Sequence, residues 1–483
     1  MLATFLLAIK NTRLNFRKRL PVGLFLVAAM ALLFIGNSVF TNTQEGLKAT
    51  YEQSLTGNLA VSATSTDGFT LFGSELPLIG QFFKIPIIPN YPTVSKILKE
   101  KLPAALQLPV IIGGAKLSLG AFEEISPFFA VDLGSYFHFF PKLKILQGAI
   151  PSANTPALFL NEVLYEKMTK ALGRAPALGE KFLLATAQEN SFVLREVPLV
   201  GVFAYPVSDQ LFDKVALIDA QTGRELNGYY VSEAGNQAKK AQTDLLSDNL
   251  DDLFSTSGDV VDSSKSGITL SSVDKELKTA STAPVADPGT WNFVLLREDG
   301  NKSAEATKKV LSADFQAAKV DVQVRDWRDT AGGNAKIVWF LQLLFNVGLI
   351  FISLVACLIV MNSLALSVAE RIREIGTLRA LGAQKSKVAS LIGSETVILV
   401  TGAGILGVVL GAVILVLVGK SGGVHLTNPL IASLFGTNRY VPAVSGFLML
   451  EHFGISLFLG LLSMGLPIRR ALKVVPLQAM ARE

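Results

Sequence analysis

The stretch Asn362-Ser363-Leu364-Ala365-Leu366-Ser367-Val368-Ala369-Glu370-Arg371-Ile372-Arg373-Glu374-Ile375-Gly376-Thr377-Leu378-Arg379-Ala380-Leu381-Gly382-Ala383 decides how the chain folds. Its first third closes an uncharged run, Ile337–Ala369, of 33 residues. At ~1.5 Å per residue that run makes about 50 Å of helix, whereas about 20 apolar residues cross the ~30 Å hydrocarbon core of a bilayer. Part of it should therefore project as a stalk. The remainder switches abruptly to charge. Glu370 and Glu374 stand four residues apart, and Ile375, Leu378 and Leu381 share an apolar side, as in a short helix emerging from the bilayer. Gly382 can stop that helix. The plainer alternative is a solvated loop whose arginines snorkel.

Working outward, three more apolar runs have spanning length: Leu20–Gln44, Thr396–Gly419 and Gly446–Ile468, the last interrupted by Glu451 and His452. Half of the 483 residues are hydrophobic and only 17% are charged, which excludes disorder and argues against an ordinary soluble enzyme. The net charge of +5 suggests nucleic acid until it is divided: residues 43–335 hold 27 Lys+Arg against 34 Asp+Glu, so the basic excess lies beside the apolar runs. Five bases precede the first run, five follow the second (Arg371, Arg373, Arg379, Lys385, Lys387), and Arg469, Arg470, Lys473 and Arg482 follow the fourth. The excess of Lys and Arg on one side predicts both termini in the cytoplasm and residues 43–335 outside. It predicts no nucleic-acid partner. The single cysteine, Cys357, excludes an intramolecular disulfide.

The predicted fold is a membrane α-helical protein of four transmembrane helices with a large extracytoplasmic α+β domain inserted between helices 1 and 2. An amphipathic basic helix, 1–19, lies on the inner leaflet and leads into an uncleaved first span, 20–42. The external domain covers 43–335. Stalk and second span occupy 336–369, a cytoplasmic segment 370–387, the third span 388–419, an external loop 420–445, the fourth span 446–468 and a cytoplasmic tail 469–483. Within the external domain, Leu59–Ala63, Phe192–Val202 and Val320–Val324 alternate or run apolar like strands, and Leu160–Leu172 and Ala304–Ala318 are spaced like helices. Residues 241–290, acidic and polar, should be a mobile insertion. Two stretches are unusually aromatic. Most of these rings should be core, but any exposed part of Phe72, Phe82 and Phe83, or of Phe128, Phe129 and Phe137, would make a surface for substrate or partner.

Several motifs dissolve on inspection. Gly402-Ala403-Gly404-Ile405-Leu406-Gly407 matches the dinucleotide fingerprint, but no Asp or Glu occurs between Thr396 and Leu450, and the glycines lie within the third span. There Ala403, Gly407 and Gly411 have the four-residue spacing of close helix packing. Gly419-Lys420-Ser421 lacks the first glycine of a phosphate loop. His138, His425, His452 and Cys357 form no metal or nucleophile motif. Glu395 and Glu451 begin or interrupt apolar runs and suit interfacial or helix-packing roles better than transport.

Residues 362–383, followed by Glu395 and the glycine-rich third span, closely resemble the signature of FtsX-like permeases of MacB-type ABC transporters. The tail from Pro467 through Arg469, Arg470, Ala471 and Pro476 to Met480 is similar to their ending, and Gly57–Ala63 and Ala157–Phe203, with Gly179-Glu180, are similar to their periplasmic core domain. The resemblance implies a multi-pass permease in a bacterial inner (cytoplasmic) membrane. It implies that Glu370, Arg371, Arg373, Glu374, Ile375, Gly376, Arg379, Ala380, Gly382 and Ala383 couple to a cytoplasmic ABC ATPase dimer acting in trans. That ATPase would use ATP and Mg, and this chain would bind no cofactor and catalyse nothing. By resemblance the chain pairs with a second permease, identical or related. Nucleotide-driven motion then passes through the stalk to handle a hydrophobic substrate outside, foremost a lipoprotein released from the inner membrane, as in the LolC/LolE branch. The alternatives are efflux of drugs or peptides with a periplasmic adaptor, or regulation of a cell-wall hydrolase. The external region is larger than the family usually carries, and Glu451-His452 departs from its fourth span.

Overall fold

A computed structural model describes residues 16–65, 69–74, 85–152, 155–187, 192–206, 212–230, 286–298 and 304–473. The chain divides into two compact units, a helical one up to Thr50 and from Gly333 onward, and an α+β one between Tyr51 and Gly332. The first helix, α1 (Phe16–Ser54), runs 39 residues without a break. The expected boundaries at residues 19 and 42 both fall inside it. Nothing between Val22 and Ser54 stops a helix, and the polar residues past Thr41 are ordinary helix formers. Residues 1–15 lie outside the described residues. The turn past Thr56 is made by Gly57 at φ +67°, a conformation costly for any side chain.

In the α+β unit the strands are β1 (Leu59–Ala63), β2 (Phe69–Thr70), β3 (Gly73–Ser74), β4 (Leu106–Leu119), β5 (Phe122–Val131), β6 (Lys144–Gly148), β7 (Leu158–Asn161), β8 (Lys181–Ala187), β9 (Phe192–Ala204), β10 (Ala216–Asp219), β11 (Phe293–Arg297) and β12 (Val322–Asp326). Among the described residues of this unit the helices are α2 (Tyr91–Lys101), α3 (Leu133–Phe139), α4 (Glu162–Leu172), α5 (Ala220–Asn227), α6 (Ala304–Ala317) and α7 (Trp327–Ala331). One ten-stranded sheet has the order β12-β1-β11-β4-β5-β10-β7-β9-β6, with β8 pairing β4 and β9. β4 joins its two halves, pairing β11 through Leu106–Val110 and β5 from Ile111 onward. One half buries Val61, Val94, Leu98, Leu296, Leu311 and Phe315, and the other Leu117, Phe128, Leu164, Phe182, Leu199 and Ile218. Asp132, Asn161, Asp219 and Asp326 cap the helices that follow them. The predicted helix over Leu160–Leu172 begins only at Glu162, because Leu158–Asn161 is a buried strand.

The described rings of the aromatic stretches are mostly core. Phe128 and Phe129 are 0% and 2% exposed, although successive strand residues face opposite ways. β5 lies between β4 and β10 with both sheet faces covered, so both phases of its sequence are apolar. Phe137 is half-buried, 5.3 Å from Phe159, and Phe72 is half-buried against Phe129 and Phe212. Phe128 and Phe129 are core, as expected for most of these rings, and offer no substrate surface, whereas Phe72 and Phe137 keep part of their surface exposed. Phe82, Phe83 and most of 241–290 lie outside the described residues.

The helical unit continues with α8 (Gly333–Glu370), α9 (Ile372–Ala380), α10 (Lys385–Lys420), β13 (Val424–His425), α11 (Pro429–Phe435), β14 (Arg439–Tyr440), α12 (Gly446–Ser463) and α13 (Gly465–Leu472). Four helical stretches, Leu20–Ser54, Ala335–Glu370, Lys385–Lys420 and Gly446–Leu472, are long and apolar enough to cross a membrane. The fourth is not one helix. It breaks at Met464, where Pro467 has no N–H for the next turn and its ring crowds the preceding one. Leu26, Met30 and Phe34 of α1 pack with Val360 of α8, Val400 and Ala403 of α10 and Leu459 of α12. A Cβ on Gly407 would stand 2.6 Å from Val27 O and 2.7 Å from Met30 Cβ, and one on Gly411 3.1 Å from Ala31 O. The small-residue stripe thus admits α1 to backbone contact. Its neighbour Gly404 meets Ser456 of α12. His452 is buried, its Nδ1 2.9 Å from Leu448 O and its ring edge-on to Phe34, while Glu451 points outward. The two do not form a pair.

Candidate functional site: the segment between the second and third apolar helices

α8 ends at Glu370, and Arg371 (φ −104°, ψ 18°) leaves the helical path before α9 begins. α9 closes through Ala383 N–H donating to Leu378 O at 3.0 Å, with Gly382 at φ +94° supplying the left-handed turn. Gln384 then starts α10. The chain thereby reverses within a few residues. Ile375 is 7% exposed and packs with Val368, Val388, Ile392 and Ala471, so α9 is seated on the bases of α10 and α13.

Arg371 provides the electrostatic tie. Its Nη1 lies 3.2 Å from both carboxylate oxygens of Glu395, immediately before the uncharged part of α10, and its Nε donates to Glu374 at 2.8 Å. Glu395 is 3% exposed. A carboxylate buried that deeply is stable only when paired and hydrogen-bonded, which here requires Arg371 to stay at the α8–α9 junction. The cleft around the pair, lined by Leu364, Val368, Ile375 and Thr396 among others, holds about 30 Å³, room for a water or two and no substrate. Glu370, Arg373, Glu374, Ala380 and Gly382 are exposed, as are Leu378 at 44% and Leu381 at 81%. Arg379 and Ala383 are half-buried, and Gly376 is buried beside Ile375.

The ten predicted residues thus form one short helix and its turn. Arg371, Ile375 and Gly376 face the bundle, and most of the others face outward. What sequence reasoning missed is the partner of Arg371: Glu395 was assigned only an interfacial or packing role, and the pair spans 24 positions with no periodicity to reveal it. The available signal was a lone acid at the head of a long uncharged run. No cluster of His, Cys, Asp or Glu suited to a metal occurs among the described residues. The arrangement can transmit force and dock a partner.

The model of the FtsX-like permease C-terminal family matches residues 346–476. The chain is 36% identical over 124 residues to the macrolide export ATP-binding/permease protein MacB 2 of Aeromonas hydrophila, and 34% identical over 124 residues to the macrolide export ATP-binding/permease protein MacB of Shewanella oneidensis. Each match covers 26% of this chain and 17% of the relative, so the chain spans about a sixth of their length. Among solved structures, the periplasmic region of MacB from Actinobacillus actinomycetemcomitans aligns with TM-score 0.30 and 9% identity, over 59% of this chain and 94% of that one. The extracellular domain of the transporter YknZ from Gram-positive bacteria aligns with TM-score 0.29 and 9% identity, over 56% and 100%.

Proposed function

We propose that this chain, an FtsX-like ABC transporter permease of the MacB type, converts the motion of a cytoplasmic ABC ATPase into movement of its α+β domain, with Glu370–Ala383 as the coupling segment. What carries the reading is the Arg371–Glu395 pair. It fastens the segment to α10 at one end while the exposed residues Arg373, Glu374, Leu378 and Leu381 remain available to an ATPase surface. A push on α9 would then move α10 as well as α8. The 483 residues hold no phosphate loop, so ATP and Mg belong to the ATPase. The ordering within a bacterial inner membrane, termini inward and α+β domain outward, follows from the distribution of Lys and Arg. Pairing with a second permease is part of the same proposal.

For substrate, Phe128 and Phe129 are buried and give lipoprotein release no aromatic surface at those positions. Macrolide export is the activity in the names of the two relatives, which supports export of such a compound over lipoprotein release. The test is purification of the tagged chain from detergent-solubilised membranes with identification of every stoichiometric partner. An ABC ATPase should accompany it, and Glu374→Lys should keep ATP hydrolysis and expression while abolishing export. Absence of any ATPase, or full export by the variant, refutes the proposal. A trapped lipoprotein in place of an adaptor would restore the release reading.

A further inference from the structure

The outer half of α1 carries Ser38, Asn42, Gly46 and Thr50 at every fourth position, one stripe about 18 Å long. Each member meets the loop between α10 and α12. Asn42 Nδ2 donates to Ala443 O at 2.7 Å, Ser38 Oγ donates to the same carbonyl at 3.3 Å, and Thr50 Oγ1 donates to Gly436 O at 2.8 Å. A Cβ on Gly46 would sit 3.4 Å from Phe435 O, and one on Gly436 2.9 Å from Leu47 Cα, so the end of α11 rests on α1 backbone to backbone. Gly436 holds φ +63°, which makes the turn possible. The loop is itself folded: β13 pairs β14, Arg439 Nε donates to Gly422 O, and Tyr440 is buried edge-on to Phe435 at 5.1 Å. Deeper in the bundle the same side of α1, through Val27, Ala31 and Ile35, receives Gly407 and Gly411 of α10. One face of α1 is therefore keyed, from Val27 to Thr50, to α10 and the loop that follows it.

We propose that Ser38, Asn42 and Thr50 are positioning residues that strap the outer half of α1 to the α10–α12 loop. The strap stays closed throughout the transport cycle, so that α1 and α10 move as one body. This rests on the coupling reading above. Polar side chains donating to backbone carbonyls suit the role, because the carbonyls of Gly436 and Ala443 lie outside regular ladders and need partners. α10, moved at its base through Glu395, then carries the first helix with it.

The test uses the full chain with its co-purified ATPase in proteoliposomes, with a macrolide as the transported probe. Glu45→Cys and Val441→Cys, both exposed and outside the strap, in a Cys357→Ala background, are joined by a bismaleimide. The expected crosslinking yield is the same with no nucleotide, with ATP and Mg, and after vanadate trapping, and the joined protein retains at least half of its export. Asn42→Leu combined with Thr50→Val should lower export per ATP at least fivefold at unchanged ATP hydrolysis, and restoring a hydroxyl as Thr50→Ser should recover part of it. Nucleotide-dependent loss of crosslinking, arrest of export by the crosslink, or full coupling in the double variant overturns the strap. If Glu374→Lys leaves export intact, the coupling reading fails separately, and the crosslinking yields still decide whether the strap opens.

Discussion

Removing Arg371 is the sharpest perturbation of the coupling segment. Arg371→Ala leaves the carboxylate of Glu395, 3% exposed, without the guanidinium that sits 3.2 Å from both its oxygens. Breaking a buried pair from one side costs about 3–5 kcal/mol. The arginine side chain keeps 23% of its exposure, which places the loss near the lower bound, about 3 kcal/mol, or roughly 150-fold in an equilibrium constant. Glu395→Gln keeps the volume and one neutral acceptor. It exchanges hydrogen bonds to a charged group, worth about 1.5–3 kcal/mol, for an ordinary one of about 1 kcal/mol, a loss of about 0.5–2 kcal/mol, or roughly 2–30-fold. Amide hydrogen exchange of the full chain in nanodiscs reads both. Protection at Ile375 and Leu381, whose amides donate to Arg371 O and Thr377 O, should fall by up to these factors, with Val408 and Leu415 of α10 unchanged. The double variant should be no worse than Arg371→Ala, giving a coupling energy of about 0.5–2 kcal/mol. Additive losses, or equal losses at Val408 and Leu415, would show that the pair is not the tie between α9 and α10.

Two further outcomes are expected. Gly407→Leu must displace the backbone of α1 at Val27 and should destabilise the bundle by about 1–3 kcal/mol, seen as a lower melting temperature in detergent, whereas Gly402→Ala, with nothing within 4 Å, should melt like the parent. The carboxyl of Glu180, hydrogen-bonded by Arg174 and by the amide of Ala177, is held down to about 2. Carbon-13 NMR titration should find that midpoint, and Arg174→Ala should return it to the usual carboxylate range. Because the folded value lies below the unfolded one, the contribution to stability is complete above the unfolded value and is lost as pH falls toward 2.

The four apolar helices were legible because a bilayer demands length and lack of charge together, and Thr396–Gly419 offers nothing else. Leu59–Ala63 and Ala304–Ala317 were legible for a similar reason: their local pattern agrees with their final state. Phe128 and Phe129 were legible as core only as the commoner case for such stretches. A strand covered on both faces is apolar throughout, and so is an exposed patch, so composition alone cannot tell them apart. The continuation of α1 past Thr41 was not anticipated, because the apolar run ends there while the polar residues beyond it still favour helix. The Arg371–Glu395 pair was not legible because its members lie 24 positions apart with no periodicity between them. Ala403, Gly407 and Gly411 succeeded because backbone contact leaves a spacing of four in one segment.

The sheet order of the α+β domain has a consequence for how the protein is made. β1, the first strand of that domain to emerge, sits between β11 and β12, the last two. Its fully buried residues Leu59–Val61 have no partner until more than 230 further residues have been synthesised. At about 5–20 residues per second the nascent chain carries an unpaired apolar strand for roughly ten seconds or longer. β4 and β5, joined by a short turn, can pair at once and serve as the template. The domain should therefore assemble from its middle outward and close last at the strands nearest the membrane helices in sequence, which leaves the early strand open to misassociation until then and places the most damaging truncations at the end of the domain, in β11 and β12.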